Sequence, residues 1–184
     1  MRAAILTALA LAIPAVAPAV PQTATIPWHD PSPQPRGAAL LRSAMMDGHN
    51  RARRQYGVAP LAWDETLARA AAVYAARLAR TSRFEHDRQT GRYPRQGENL
   101  FMGTRGAYSY AEMIGLLVDE RRYFRPGSFP NVSRTGSVWQ VGHYTQIIWP
   151  TSQRVGCATA SNRAKDYLVC RYSPAGNVVG TILR

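Results

Sequence analysis

A chain of 184 residues that is 46% hydrophobic has room for one compact domain and not for two of ordinary size. Its formal charge of +12 comes almost wholly from arginine, Lys165 being the only lysine, and no basic-aromatic stripe accompanies it, so specific nucleic-acid binding is not expected. Such a charge does predict weak adhesion to anionic envelope surfaces.

Met1-Arg2 and the apolar run Ala3 to Ala17 have the form of a secretory signal. Cleavage is placed after Ala19, because a cut after Ala17 would leave Pro18 just beyond the scissile bond. The run is short for a membrane span and Pro14 interrupts it. No later stretch is apolar enough to cross a bilayer, so the mature chain is expected to have no transmembrane segment. The expected division is a signal peptide over 1–19, a Pro-rich leader over 20–37 and one domain over 38–184, in a secreted or periplasmic protein. Export carries Cys157 and Cys170, the only two cysteines, into an oxidising compartment where pairing is the default, which predicts one disulfide.

Leu41, Met45, His49, Ala52 and Tyr56 recur at helical spacing, and Gly57 offers a left-handed stop. His49 on this apolar face is expected to be a hydrogen-bonded packing residue. After Pro60, Asp64 can cap a second helix carrying Leu67, Ala70, Ala71, Tyr74 and Leu78. The stretch 81–108 reads mostly as loop, since Gly91, Pro94, Gly97, Gly103 and Gly106 interrupt any pattern. Ser109 and Glu112 form a capping box for a third helix. Met113, Leu117 and Glu120 then follow at i, i+4 and i+7, which puts a carboxylate on the buried stripe and requires a partner for it. The arginine clusters Arg51, Arg53, Arg54; Arg77, Arg80, Arg83; and Arg121, Arg122, Arg125 read as solvated helix faces.

Residues 124–141 read as a long loop with Phe129, Val132 and Trp139 as anchors; Asn131-Val132-Ser133 matches a glycosylation acceptor, a pattern of little weight. Tyr144 to Trp149, rich in β-branched and aromatic residues, predicts a buried strand with His143 at its mouth, bounded by Gly142 and Pro150. Two further runs, 154–160 and 166–172, predict a hairpin that the two cysteines would staple.

Gly142-His143-Tyr144-Thr145-Gln146 with Ile147-Ile148-Trp149, followed by Val155-Gly156-Cys157-Ala158, resembles the hallmark of the CAP superfamily of cysteine-rich secretory, venom-allergen and pathogenesis-related plant proteins. His49-Asn50 with Arg53, Pro60-Leu61-Ala62-Trp63-Asp64, Gly97-Glu98-Asn99-Leu100 and Cys170-Arg171-Tyr172-Ser173-Pro174-Ala175-Gly176-Asn177 resemble its other motifs in order. The resemblance spans roughly 40–180. It implies an α+β fold, a three-layer α-β-α sandwich with a central, mainly antiparallel sheet, and a cleft tetrad of His86, Glu98, Glu120 and His143. Leu117 stands where the family often has tryptophan, and one disulfide replaces the three of plant relatives.

Two imidazoles make His86 and His143 candidate ligands for Zn2+ or another divalent metal, with Glu98 and Glu120 orienting or deprotonating its water. The favoured expectation is a secreted binding domain taking a metal and a lipid or other small molecule. The alternatives are a metal-dependent hydrolase with Glu98 or Glu120 as general base, and a structural or interaction protein of the cell envelope.

Overall fold

The first helix ends because Gly57 takes φ 87 and returns its N–H to the carbonyls of Arg53 and Arg54, a left-handed stop that suits glycine. This is α1, Ala38–Tyr56, in a computed structural model that describes residues 34–90 and 94–184. The proposed signal peptide and all but the last residues of the leader lie outside the described residues. Asp64 Oδ1 accepts from the amides of Thr66 and Leu67 at 2.8 and 2.9 Å and opens α2, Glu65–Thr81. The capping box of Ser109 and Glu112 opens α3, Tyr110–Val118. All three starts or stops were legible because each signal is local.

The main sheet has the order β1-β4-β5-β2, from Ala62–Trp63, Arg154–Ser161, Lys165–Ser173 and Gly97–Thr104. β1 runs parallel to β4 and the other pairings are antiparallel. Cys157 stands directly opposite Cys170 in the β4–β5 register, and a disulfide joins them. Strand alternation then divides the core. Tyr167, Val169 and Leu100 turn to α2, with Ala71, Tyr74, Ala75 and Leu78. Leu168, Cys170, Tyr172 and Val155 turn the other way, toward the layer of α1, α3 and α4 (Gly142–Ile147). The result is a three-layer α-β-α sandwich. Gly156 brings β4 and α2 together, since a Cβ there would meet the backbone of Asp64, Leu67 and Ala68. β3 (Gly127–Ser128) and β6 (Ile182–Leu183) pair antiparallel as a separate two-stranded sheet.

Three sequence expectations are corrected. The predicted strand at Tyr144 to Trp149 is the helix α4 and its C-terminal turn. Every residue from Tyr144 to Trp149 is buried, and a strand preference of at most ~1 kcal/mol per residue is overridden by packing worth ~1.5–3 kcal/mol for each large apolar side chain. Within 81–108, Gly97–Thr104 is an eight-residue strand. Its glycines mark close approaches, Gly97 to the Gln146 side chain and Gly103 to Tyr108. Finally, α3 ends at Val118, so Glu120 lies in the 3₁₀ turn Asp119–Tyr123 beyond it and is only partly buried.

Candidate functional site

The buried Arg53 determines where α4 ends. Its Nε donates to Ala59 O at 2.6 Å, its Nη1 to Ile147 O and Trp149 O at 2.8 and 2.9 Å, and its Nη2 to Ser152 O at 3.0 Å. Four carbonyls, two from the end of α4, replace the water a guanidinium would otherwise hold. The sequence reading of Arg53 as part of a solvated face is therefore wrong at this position: the side chain is fully buried.

Glu120 fixes the other end of α4. Its Oε2 accepts from the amides of His143 and Tyr144 at 2.9 and 3.1 Å, and its Oε1 receives His143 Nδ1 at 2.6 Å. One carboxylate thus caps the first turn of α4 and holds the ring of the histidine it carries. An ionised carboxylate only accepts, so Nδ1 carries the proton and Nε2 of neutral His143 keeps its lone pair.

His86 repeats this arrangement from the loop after α2. Its Nδ1 donates to Glu98 Oε1 at 2.6 Å, an oxygen that also accepts from Asp87 N at 3.1 Å. Glu98 is nearly buried while His86 stays open to solvent. The other oxygen, Glu98 Oε2, lies 3.0 Å from Arg171 Nη2, which also meets Asp87 Oδ2 at 2.7 Å. Burial pushes the Asp87 carboxyl up, but the amide of Gln89 and the Arg171 guanidinium outweigh it and hold the group below its ordinary value.

The two pairs flank edge strand β2. Alternation along β2 sets Glu98 with Leu100 on the α2 face and Asn99 on the opposite face. Asn99 Nδ2 donates to His143 O at 3.0 Å and to Tyr172 OH at 3.1 Å. Tyr172 in turn meets His49 Nε2 at 2.7 Å, and His49 Nδ1 meets Met45 O at 2.7 Å. Since a carbonyl cannot donate, Nδ1 of His49 carries the proton and Tyr172 donates to Nε2. Burial lowers His49 to about 4 and raises Tyr172 far above its ordinary value, so both are neutral. His49 is the packing residue the helical spacing predicts.

All four tetrad residues thus find partners, but as two His–Glu pairs. Among the described residues no group of three or more His, Cys, Asp or Glu side chains is placed to hold a metal ion. Sequence reasoning missed Asp87, Asn99, Arg171 and Tyr172 as members of these networks. Alternation from Tyr167 and Val169 would have turned Arg171 inward. Cavities also lie elsewhere among the described residues. One of about 580 Å³ sits beside Trp63, Arg42, Tyr110 and Cys157, and one of about 340 Å³ lies between α1 and α3, lined by Leu40, Ala44, Ile114 and Val118.

Residues 46–172 match the model of the cysteine-rich secretory protein family, known as CAP. The chain belongs to the CAP family. It is 40% identical over 136 residues to pathogenesis-related protein 1C of Nicotiana tabacum, covering 73% of this chain and 76% of that protein. It is 34% identical over 140 residues to secreted protein RBT4 of Candida albicans, covering 74% of this chain and 36% of the other. The crystal structure of NaASP2 with Zn2+ superposes with a TM-score of 0.66 at 22% identity, over 82% of this chain and 88% of that one. The structure of BmVAL-1 gives 0.64 at 20% identity, over 80% of this chain and 83% of that one. These structural likenesses speak for the CAP fold alone.

Proposed function

We propose that this CAP-domain protein is exported and that His86 and His143 bind one divalent transition metal, zinc being the candidate, with Glu98 and Glu120 as orienting partners. The observation that carries this reading is the pair of 2.6 Å contacts from Nδ1 to carboxylate, each leaving an Nε2 lone pair with no hydrogen bond among the described residues. Carboxylate-backed imidazole is the usual support for a metal ligand. A bound ion would act there as a Lewis acid on water or another oxygen ligand. The chain's own contribution is to hold two carboxylate-backed rings in a set orientation. That NaASP2 was solved with Zn2+ supports trying this ion first. Export is supported by the leader sequence and by kinship with secreted proteins. Among the described residues no helix is long and apolar enough to cross a membrane.

A lipid or other small apolar ligand is the second part of the proposal, and the apolar groove between α1 and α3 favours it. The hydrolase alternative needs Glu98 or Glu120 free to take a proton. Both carboxylates already accept from an imidazole and from backbone amides, which favours the binding reading.

Calorimetric zinc titration of the exported protein tests the metal site. Either His86→Ala or His143→Ala abolishes uptake, whereas His49→Ala lowers the melting temperature and leaves uptake in place. Uptake weakens on acidification, because protons compete for the ligand nitrogens. Undiminished binding by the His86→Ala, His143→Ala double variant would refute the assignment. Metal-dependent turnover lost in Glu98→Gln or Glu120→Gln would put the hydrolase first.

A further inference from the structure

Arg171 lies within β5, 2% exposed, on the face that Tyr167 and Val169 turn to α2. A buried guanidinium is tolerated only when its charge is met. Here a single nitrogen, Nη2, donates a hydrogen bond to Asp87 Oδ2 at 2.7 Å and forms an ion pair with Glu98 Oε2 at 3.0 Å, a contact of charge whose geometry is not that of a hydrogen bond. The guanidinium carbon stands 5.1 Å from the centre of the Tyr74 ring, and Nε and Nη1 have no hydrogen-bond acceptor among the described residues. Arg171 is thus committed to two carboxylates and an aromatic face.

Those carboxylates are the supports of His86. Glu98 divides its oxygens, Oε2 inward to Arg171 and Oε1 outward to His86 Nδ1. Asp87 follows His86 in the chain, and its amide also reaches Glu98 Oε1. One arm from Arg171 therefore runs through Glu98 to the ring, and the other runs through Asp87 to the backbone that carries it. The His143 half is built differently. Backbone amides of His143 and Tyr144 steady Glu120 Oε2, in the place that an arginine takes beside Glu98.

We propose that Arg171 is a positioning residue for His86. By anchoring Glu98 Oε2 and Asp87 Oδ2 it keeps Glu98 Oε1 on Nδ1 and so leaves the Nε2 lone pair directed outward. The purpose of that orientation rests on the metal reading, whereas the orientation itself is a property of the metal-free chain. Without the guanidinium, Glu98 has no fixed inner contact and its outer oxygen no longer has one direction. The ring then exchanges between tautomers and rotamers.

Long-range nitrogen-proton NMR of the imidazoles in metal-free protein reads this directly, with His143 as the internal control. In Arg171→Met, His86 loses its single Nδ1–H signature, His143 keeps its own, and zinc affinity falls by about 10- to 100-fold. Arg171→Lys, which restores the charge without the flat fork, recovers most of the His86 signature. If the methionine variant does not fold, Arg171→Leu, also without a donor, is judged by the same criterion. A folded Arg171→Met protein in which His86 keeps the wild-type tautomer overturns the proposal, as does one in which His86 and His143 change together. Wild-type protein that binds no zinc, with the His86 signature still lost in the variant, would remove the metal reading and leave the positioning role. Zinc uptake with an unaltered tautomer would do the reverse.

Discussion

Lowering the pH from 7 to 4.5 probes the buried network around His49. Both ring nitrogens are satisfied only while the ring is neutral: Nδ1–H donates to Met45 O, and Nε2 accepts from Tyr172, whose oxygen already receives Asn99 Nδ2. A second ring proton would confront the tyrosine hydroxyl in a fully buried site. Burial lowers His49 from 6.5 to about 4, against the opposing effect of the Met45 carbonyl. In the window between these values the unfolded chain binds a proton that the folded chain does not. Stability is therefore complete above pH 6.5 and falls as the pH drops toward 4. The gap is worth about 3 kcal/mol at ~1.36 kcal/mol per pH unit, and about 2 kcal/mol of it is lost by pH 4.5. Asp64 and Asp87, both held below the ordinary carboxylate range, lose their contributions only at lower pH. Urea unfolding followed by circular dichroism, for wild type and His49→Gln at both pH values, isolates the effect. Wild type loses about 2 kcal/mol more than the variant between pH 7 and 4.5. Equal losses would refute the reasoning, whatever the absolute stability of either protein.

Gly156→Ala forces β4 away from the backbone at the start of α2 and is expected to cost about 1–3 kcal/mol by chemical denaturation; a variant as stable as wild type would show that the two layers can slide apart freely. The net charge of +12 is expected to give weak adhesion to anionic vesicles that disappears in high salt, because surface charges are screened over about 8 Å at physiological ionic strength. Co-sedimentation checks this, and binding undiminished in 1 M salt would contradict the electrostatic account.

The parts of the fold legible in the sequence are those whose signals are local. Gly57, Asp64 and the Ser109–Glu112 box each act within a turn, and the β4–β5 hairpin shows its own alternation. β2 was hidden because its eight residues are stabilised by pairing with β5, more than sixty positions away in the chain, and glycines sit where other elements approach it. α4 was misread for a related reason. Its residues prefer strands, but Arg53 from α1 satisfies carbonyls at one end and Glu120 caps the other. Neither tie leaves a trace in the run itself.

Legibility of the site follows the same division between residue type and environment. Motif resemblance picked out His86, Glu98, Glu120 and His143 but could not say which nitrogen each histidine presents, since that depends on which atom meets the carboxylate. The arginines show the limit from the other side. Clustering with Arg51 and Arg54 on a predicted helix made Arg53 read as a surface residue, yet it closes α4, and Arg171, counted only within a motif, closes the network behind His86. Arg53 is tolerated because four carbonyls accept from it, and Arg171 because its charge is met by two carboxylates, one hydrogen-bonded and one ion-paired. The groups that hold the layers together therefore also aim the imidazoles: Glu120 both caps α4 and turns the His143 ring, so the orientation of that ring is as stable as the helix beneath it.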